Sequence, residues 1–352
     1  MCLPQACLFS TAAGKDVSSD TEKGFMTLKV KGIELFSGGL DSILAFKVIA
    51  EQGIEVSGIT FETPFFSAAK ARMTAERIGL PLVVLDITAE HLQMLRAPRY
   101  GYGRNMNPCI DCHTLMLHIA GRRMEEEGAD FVFTGEVLGE RPMSQGKQSL
   151  YIVAKNAGYP DRILRPLSAR LLPETEPERS GKVDRSRLCD IQGRGRKRQM
   201  AMAVHYGITS YPPPAGGCLL TDPIFSRRLR DLFDHHRDHD IRDIELLKVG
   251  RHFRLDEKTK TIVGRNAMDN ETIERLAKRG DALIRIDSFP GPTVLVPGGG
   301  DEGTRLLAAG LCARYCDGPR DCELVAGCLR DGGTTSLTVL AVIPEEAERL
   351  LV

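Results

Sequence analysis

Glu34-Leu35-Phe36-Ser37-Gly38-Gly39-Leu40-Asp41-Ser42 is the stretch on which the reading of this chain turns. The apolar residues Val30, Ile33, Leu35 and Phe36 predict a buried strand leading into it. A Ser-Gly-Gly turn follows. Asp41-Ser42 then opens an apolar-periodic helix through Ile43, Leu44, Phe46, Val48 and Ile49. Strand, glycine turn and helix start together make an anion site, because glycine lets the backbone approach a phosphate and the first helical N–H groups point at it. Ser37 and Ser42 add hydroxyl donors, and Asp41 is placed to hold a magnesium ion.

No Gly-Lys-Ser/Thr follows, so this is not a Walker loop. The string Ser-Gly-Gly-x-Asp-Ser resembles the PP-loop of the ATP pyrophosphatases, the adenine nucleotide alpha-hydrolases. The resemblance implies that the loop holds the pyrophosphate end of ATP while the alpha-phosphorus is attacked.

Strand and helix signals alternate outward from the loop. Strands are expected over 54–60, 82–87 and 131–134, and helices over 67–78, capped by Gly79, and 110–127. This alternation predicts an α/β fold, a doubly wound parallel sheet of PP-loop, Rossmann-like type, with ligands outside the carboxyl ends of its strands. Thr60 and Gly135 stand at such ends and join Ser37, Gly38, Gly39, Asp41 and Ser42 as expected nucleotide contacts. The expected organisation is a disordered tail over 1–25, an ATP-binding unit over 26–237 with a rigid proline loop from Tyr211 to Cys218, a polar linker over 238–243, and a smaller α+β domain over 244–352.

Forty-seven basic and 47 acidic residues balance, so a nucleic-acid partner must be held by local basic patches. Ten cysteines in 352 residues, with no secretory leader pattern, argue for metal or catalytic thiols rather than a disulfide scaffold. No apolar run reaches membrane-spanning length, and a cytoplasmic location is expected.

Asn107-Pro108-Cys109-Ile110-Asp111-Cys112-His113 puts a C-x-x-C at a helix mouth, where the helix dipole favours thiolates. Cys218 lies in a Gly-Gly turn behind prolines. The residues alone allow a redox pair, a zinc site with His113 or Cys189 as fourth ligand, or buried small side chains.

These segments resemble the tRNA thiouridylases within the PP-loop proteins. Cys112 and Cys218 match the two cysteines of the bacterial 2-thiouridylases, and Cys109 stands where those have an aspartate. Cys109, Cys112 and Cys218 together are similar to the set that holds a [4Fe-4S] cluster in related thiolation enzymes. The resemblance therefore implies ATP and Mg2+, a [4Fe-4S] cluster on three thiolates with one iron open to sulfide, and Cys112, Cys218 and Asp41 as catalytic residues. A dithiol carrying a persulfide, and structural zinc, are the alternatives. Cys312, Cys316, Cys322 and Cys328 are irregularly spaced and read as core or surface thiols.

Arg194, Arg196, Lys197 and Arg198 form the densest basic run and are expected to contact RNA phosphates. Gly250-Arg251-His252-Phe253-Arg254, Val263-Gly264-Arg265-Asn266 and Phe289-Pro290-Gly291-Pro292 resemble the NFACT-R type of RNA-binding domain, with Arg285 where that family has histidine. The combined expectation is ATP-dependent thiolation of a tRNA uridine, with tRNA and a sulfur donor (free sulfide, a persulfide or a carrier protein) as partners. A PP-loop enzyme acting on a small molecule and an RNA-binding protein with an inactive nucleotide fold are the other classes.

Overall fold

The computed structural model describes residues 29–211, 217–236 and 238–352. The tail expected over 1–25 and the proline loop from Pro212 to Gly216 lie outside the described residues.

The first part contains strands β1 Lys31–Leu35, β2 Glu55–Glu62, β3 Leu82–Asp86, β4 Phe131–Thr134 and β5 Ile163–Leu164. Its helices are α1 Leu40–Ala50, α2 Ala69–Ile78, α3 Thr88–Arg96, α4 Cys109–Glu126, α5 Lys147–Ala157, α6 Glu176–Arg179, α7 Lys197–His205 and α8 Pro223–His235. The strands form one sheet in the order β3-β2-β1-β4-β5 with every pair parallel. The chain reverses direction across the sheet between β1 and β4, the switch point where a doubly wound fold opens a crevice. The glycine turn sits at that point.

Parallel strands covered on both faces lose the alternation of an exposed sheet. β4 shows it: Phe-Val-Phe-Thr is buried throughout. Phe131 and Phe133 pack with Leu40, Leu44 and Val48 of α1 and Ala203 of α7. Val132 points the other way, into Leu117, Ala120 and Met124 of α4 and Val153 of α5. Helices α3 and α5 and the short strand β5 were not among the elements expected from the sequence.

The second part begins at α9 Ile241–Leu246 and continues through β6 Arg251–Arg254, β7 Lys260–Val263, α10 Ala267–Leu276, β8 Ala282–Arg285, β9 Val294–Val296, α11 Glu302–Tyr315, β10 Leu324–Arg330, β11 Gly333–Val339 and α12 Pro344–Leu350. Its strands form an antiparallel sheet in the order β11-β10-β8-β9-β7-β6. This is the expected α+β unit. Cys312, Cys316 and Cys328 lie in its core and Cys322 is exposed. The stretch expected as a polar linker instead caps a helix: the Asp240 carboxylate accepts the Asp243 N–H, and Asp243 returns the bond to Asp240.

Helix α8 ties the two sheets together. Its Asp231 accepts from Arg254 and from the nearly buried Lys260 on the second sheet. Arg228 donates to the Leu247 and Gly250 carbonyls. Among the described residues no helix is long and apolar enough to cross a membrane.

Candidate nucleotide and thiol site

Helix α1 starts at Gly39 without a side-chain cap, which leaves its first N–H groups for a ligand. The loop in front of it is held by close approaches only glycine permits. Gly38 has φ +71, and a Cβ there would lie 2.8 Å from the Ala71 Cα and the Lys70 carbonyl of α2. A Cβ on Gly135 would lie 2.5 Å from the Ser42 nitrogen. The Ser42 hydroxyl donates to the Gly39 carbonyl at 2.9 Å and stands 3.3 Å from the Ser37 hydroxyl. Thr60 is buried at the carboxyl end of β2, one residue after the Ile59 carbonyl that receives the Phe36 N–H. All seven residues expected at the nucleotide thus gather at one end of the sheet.

Asp41 is surrounded by cations that its sequence neighbours did not announce. Arg196 approaches it at 3.6 Å. Burial raises the Asp41 carboxyl above its ordinary range, while the Arg196 and Arg141 charges act the other way. Burial also lowers the Lys70 ammonium, and Arg141 and Arg196 push it further down. Asp41 Oδ1 is buried with no hydrogen-bond partner among the described residues. An unpartnered carboxylate oxygen beside an open helix start fits a magnesium ion.

The basic run divides at this point. Arg196 and Gln199, three residues apart on one face of the α7 start, turn inward toward α1, and Gln199 is fully buried. Arg198 turns outward onto Asp190 at 2.6 Å. Arg194 and Lys197 are exposed. Of the four cations expected at RNA, Arg194, Lys197 and Arg198 are exposed, the last paired with Asp190, and Arg196 is the one turned toward Asp41, because successive helical residues point in directions about 100° apart.

The cysteines sit where three loops are stitched together. Asn105 donates to the Thr221 carbonyl at 2.7 Å, and the Met106 N–H reaches the Ser226 hydroxyl at 3.3 Å. The Leu219 N–H bonds the Phe65 carbonyl at 2.9 Å, and the Asn107 amide donates to the Cys109 sulfur at 3.2 Å. Cys109 and Cys112 occupy the first turn of α4, as expected. The Cys112 thiolate is not favoured there, however. Burial pushes the Cys112 thiol far above its ordinary value, and the proximity of Cys218 and Cys109 adds to the effect. Cys218 is pushed up to about 11 by burial, with Cys109 adding and Arg141 opposing. Desolvation outweighs the helix dipole in this environment. His91 stands 3.6 Å from the Cys112 sulfur, and burial brings its imidazole down to about 4.

The three thiols converge without forming a ligand set. Among the described residues, no three His, Cys, Asp or Glu side chains are gathered closely enough to hold a metal ion. The cluster implied by the resemblance has its residues here but not its geometry, so no chemical step below is routed through it. His113, a candidate zinc ligand, is committed elsewhere: its Nδ1 lies 2.9 Å from Glu136 Oε1. Cys189 packs with the α1 and α7 core.

The Glu136 bond belongs to a network not foreseen from the sequence. Glu136 Oε2 accepts from the Arg165 Nε at 3.0 Å and from the Thr134 hydroxyl at 3.1 Å. Burial opposes its charge, yet Arg165 and His113 bring the carboxyl down to about 2. The network fixes the loop after β4, whose Gly135 backs the α1 start. Its only sequence signal is His113 following the second cysteine.

A five-stranded parallel sheet with an uncapped glycine turn at its switch point defines a doubly wound, Rossmann-like α/β fold. Residues 28–170 match the sequence model of the family described as Thiamine biosynthesis protein (ThiI), and residues 250–350 match that of the NFACT protein RNA binding domain. Both resemblances drawn from the sequence are thereby met. The tRNA-specific 2-thiouridylase MnmA of Syntrophotalea carbinolica is 30% identical over 172 residues, 41% of this chain and 49% of that protein. The enzyme of the same name from Magnetococcus marinus is 28% identical over 134 residues, covering 33% and 37% of the two chains. That from Clostridium acetobutylicum is 34% identical over 118 residues, covering 28% and 33%. The chain spans about half the length of these curated relatives, or less.

Proposed function

We propose that this protein is an ATP-dependent sulfurtransferase that thiolates a uridine of tRNA, with 26–237 as the catalytic unit and 244–352 as the unit that receives RNA. One arrangement supports the reading: the glycine turn follows β1, and the loop after the neighbouring β2 receives the Leu219 N–H beside Cys218 on its Phe65 carbonyl. A phosphate site and a soft nucleophile at the same end of the sheet are what a reaction that activates an oxygen and replaces it with sulfur requires.

The PP-loop N–H groups, Ser37 and Ser42 hold the pyrophosphate end of ATP. The uridine carbonyl oxygen attacks the alpha-phosphorus, pyrophosphate leaves, and the base loses its N3 proton. Asp41 would hold magnesium, which would supply charge neutralisation on the departing pyrophosphate. A persulfide donor first exchanges its outer sulfur onto one of Cys112 and Cys218. That sulfur then attacks the activated carbon, and AMP leaves with the former carbonyl oxygen. The thiol of the other cysteine breaks the S–S bond, leaving the thiocarbonyl on the base and a Cys112–Cys218 disulfide that an external thiol reductant reopens. Cys112 and Cys218 receive and deliver the sulfur, and Cys109 lies near both of them. Thiols that favour the neutral form in the empty site stay protected until loaded. The target base must leave its stack to reach this site.

Nucleoside analysis of bulk tRNA from cells lacking the gene tests the assignment. One thiolated uridine is expected to disappear and to return with the wild-type gene. An unchanged set of thiolated nucleosides would overturn it.

Replacing the exposed Arg194 and Lys197 by glutamine is expected to weaken tRNA binding. It should also reduce the slope of log affinity against log salt by about two, one for each phosphate contact. ATP affinity should not change. Filter binding across a salt series measures both quantities, and an unaltered slope would remove these residues from the RNA surface.

A further inference from the structure

Four polar atoms beside the PP-loop are buried without hydrogen-bond partners among the described residues: Asp41 Oδ1, Arg196 Nε, and both amide atoms of Gln199. Buried polar groups are normally satisfied, and each orphan carries a desolvation cost. Four within one small region mark a place where a polar ligand is missing. Gln199 is fully buried and close enough to Asp41 to favour its charged form. Lys70, Arg141 and Arg196 crowd the same spot, and their mutual repulsion is relieved only in part by Asp41 and Glu140. Cations crowded around a helix N-terminus are matched by a multiply charged anion.

We infer that the start of helix α7, through Arg196 and Gln199, is the second wall of the triphosphate site, and that Arg196 is exchanged from Asp41 to phosphate when magnesium nucleotide enters. The inference rests on the reading that the PP-loop holds ATP. The Arg196 guanidinium lies 3.6 Å from Asp41 Oδ2, beside the unpartnered Oδ1. Asp41 would hold magnesium through its carboxylate, and Arg196, released from that pair, turns its donors to phosphate oxygens. The Gln199 amide donates to the same oxygens. The glycines at 193 and 195 flank the segment and let it adjust. Arg196, read from the sequence as an RNA contact, thus serves the nucleotide.

Calorimetric titration of the full chain with inorganic pyrophosphate plus magnesium, and separately with AMP, tests this. Arg196→Gln is expected to lose at least about tenfold in pyrophosphate affinity while AMP affinity stays within about twofold, since a charge-assisted hydrogen bond is lost at the phosphates alone. Gln199→Leu is expected to weaken pyrophosphate several-fold and to raise the melting temperature, because it removes a buried unsatisfied amide. A purely structural Gln199 predicts the opposite sign in melting. Wild-type pyrophosphate affinity in Arg196→Gln, no pyrophosphate binding by the wild type, or a lowered melting temperature in Gln199→Leu would overturn the inference. Arg196-dependent pyrophosphate binding by a protein that leaves tRNA unthiolated would instead overturn the functional reading and leave this one standing.

Discussion

Asp41→Ala is expected to reduce ATP-dependent pyrophosphate release by at least about a hundredfold while leaving the fold intact. Asp41 lies at the open start of α1, with one carboxylate oxygen unpartnered and the other near Arg196 at 3.6 Å. Its side chain is absent from the hydrophobic clusters, and burial works against its charge. Removing it therefore costs little stability, because the charge it replaces was poorly solvated. The catalytic loss is large because magnesium and the departing pyrophosphate depend on that carboxylate. Ser37→Ala should act in the same direction but less strongly, since the loop N–H groups remain. Pyrophosphate release and thermal melting, measured on the same preparations, decide the matter. Wild-type turnover in Asp41→Ala would remove this residue from the site, and a collapse of melting would assign it to the fold.

The cysteines should separate the two halves of the reaction. Cys112→Ala and Cys218→Ala are each expected to abolish thiolation of tRNA while pyrophosphate release persists. The thiols come from α4 and the start of the α8 segment, whereas the phosphate donors come from α1. Cys109→Ala then distinguishes the chemistries that share these residues. If three thiolates hold a [4Fe-4S] cluster, anaerobically purified protein is brown, contains equal iron and sulfide, and loses both with any one of the three changes. If Cys112 and Cys218 act as a dithiol, colourless protein is active and Cys109→Ala retains thiolation. Structural zinc would reveal itself as bound zinc whose removal lowers the melting temperature. Thiolation by Cys112→Ala or Cys218→Ala would defeat all three schemes.

Much of this protein follows from local pattern. A buried strand, a Ser-Gly-Gly turn and an amphipathic helix lie within twenty residues, and their meaning as an anion site needs no distant contact. The alternation after it fixes a parallel sheet, since parallel neighbours require helical crossovers. The C-x-x-C at the α4 start and the glycine-rich segments of the second unit are equally local. Helix α3 escaped because the face it buries is Thr88, His91 and Leu95, two of them polar. Helix α5 was overlooked although Leu150, Val153, Ala154 and Ala157 keep helical spacing and Gly158 ends it. β5 escaped because two residues make no pattern.

What only the tertiary structure decided concerns direction and environment. Arg196 and Arg198 are two residues apart in one basic run. The packing of α7 on α1 sends the first to Asp41 and leaves the second on Asp190. Lys70 of α2 and Arg141 of the loop after β4 come near Asp41 only because the ends of neighbouring strands of one sheet converge there. The thiols show the same limit. The position of Cys112 at a helix start was legible and argued for a thiolate, but burial beside His91 and near Cys218 and Cys109 reverses the sign. A dipole is a property of the helix a residue begins, and so is written in sequence. Desolvation and the facing of side chains depend on everything packed against that residue, so the sequence by itself determined the PP-loop and the folded chain determined which charges serve it.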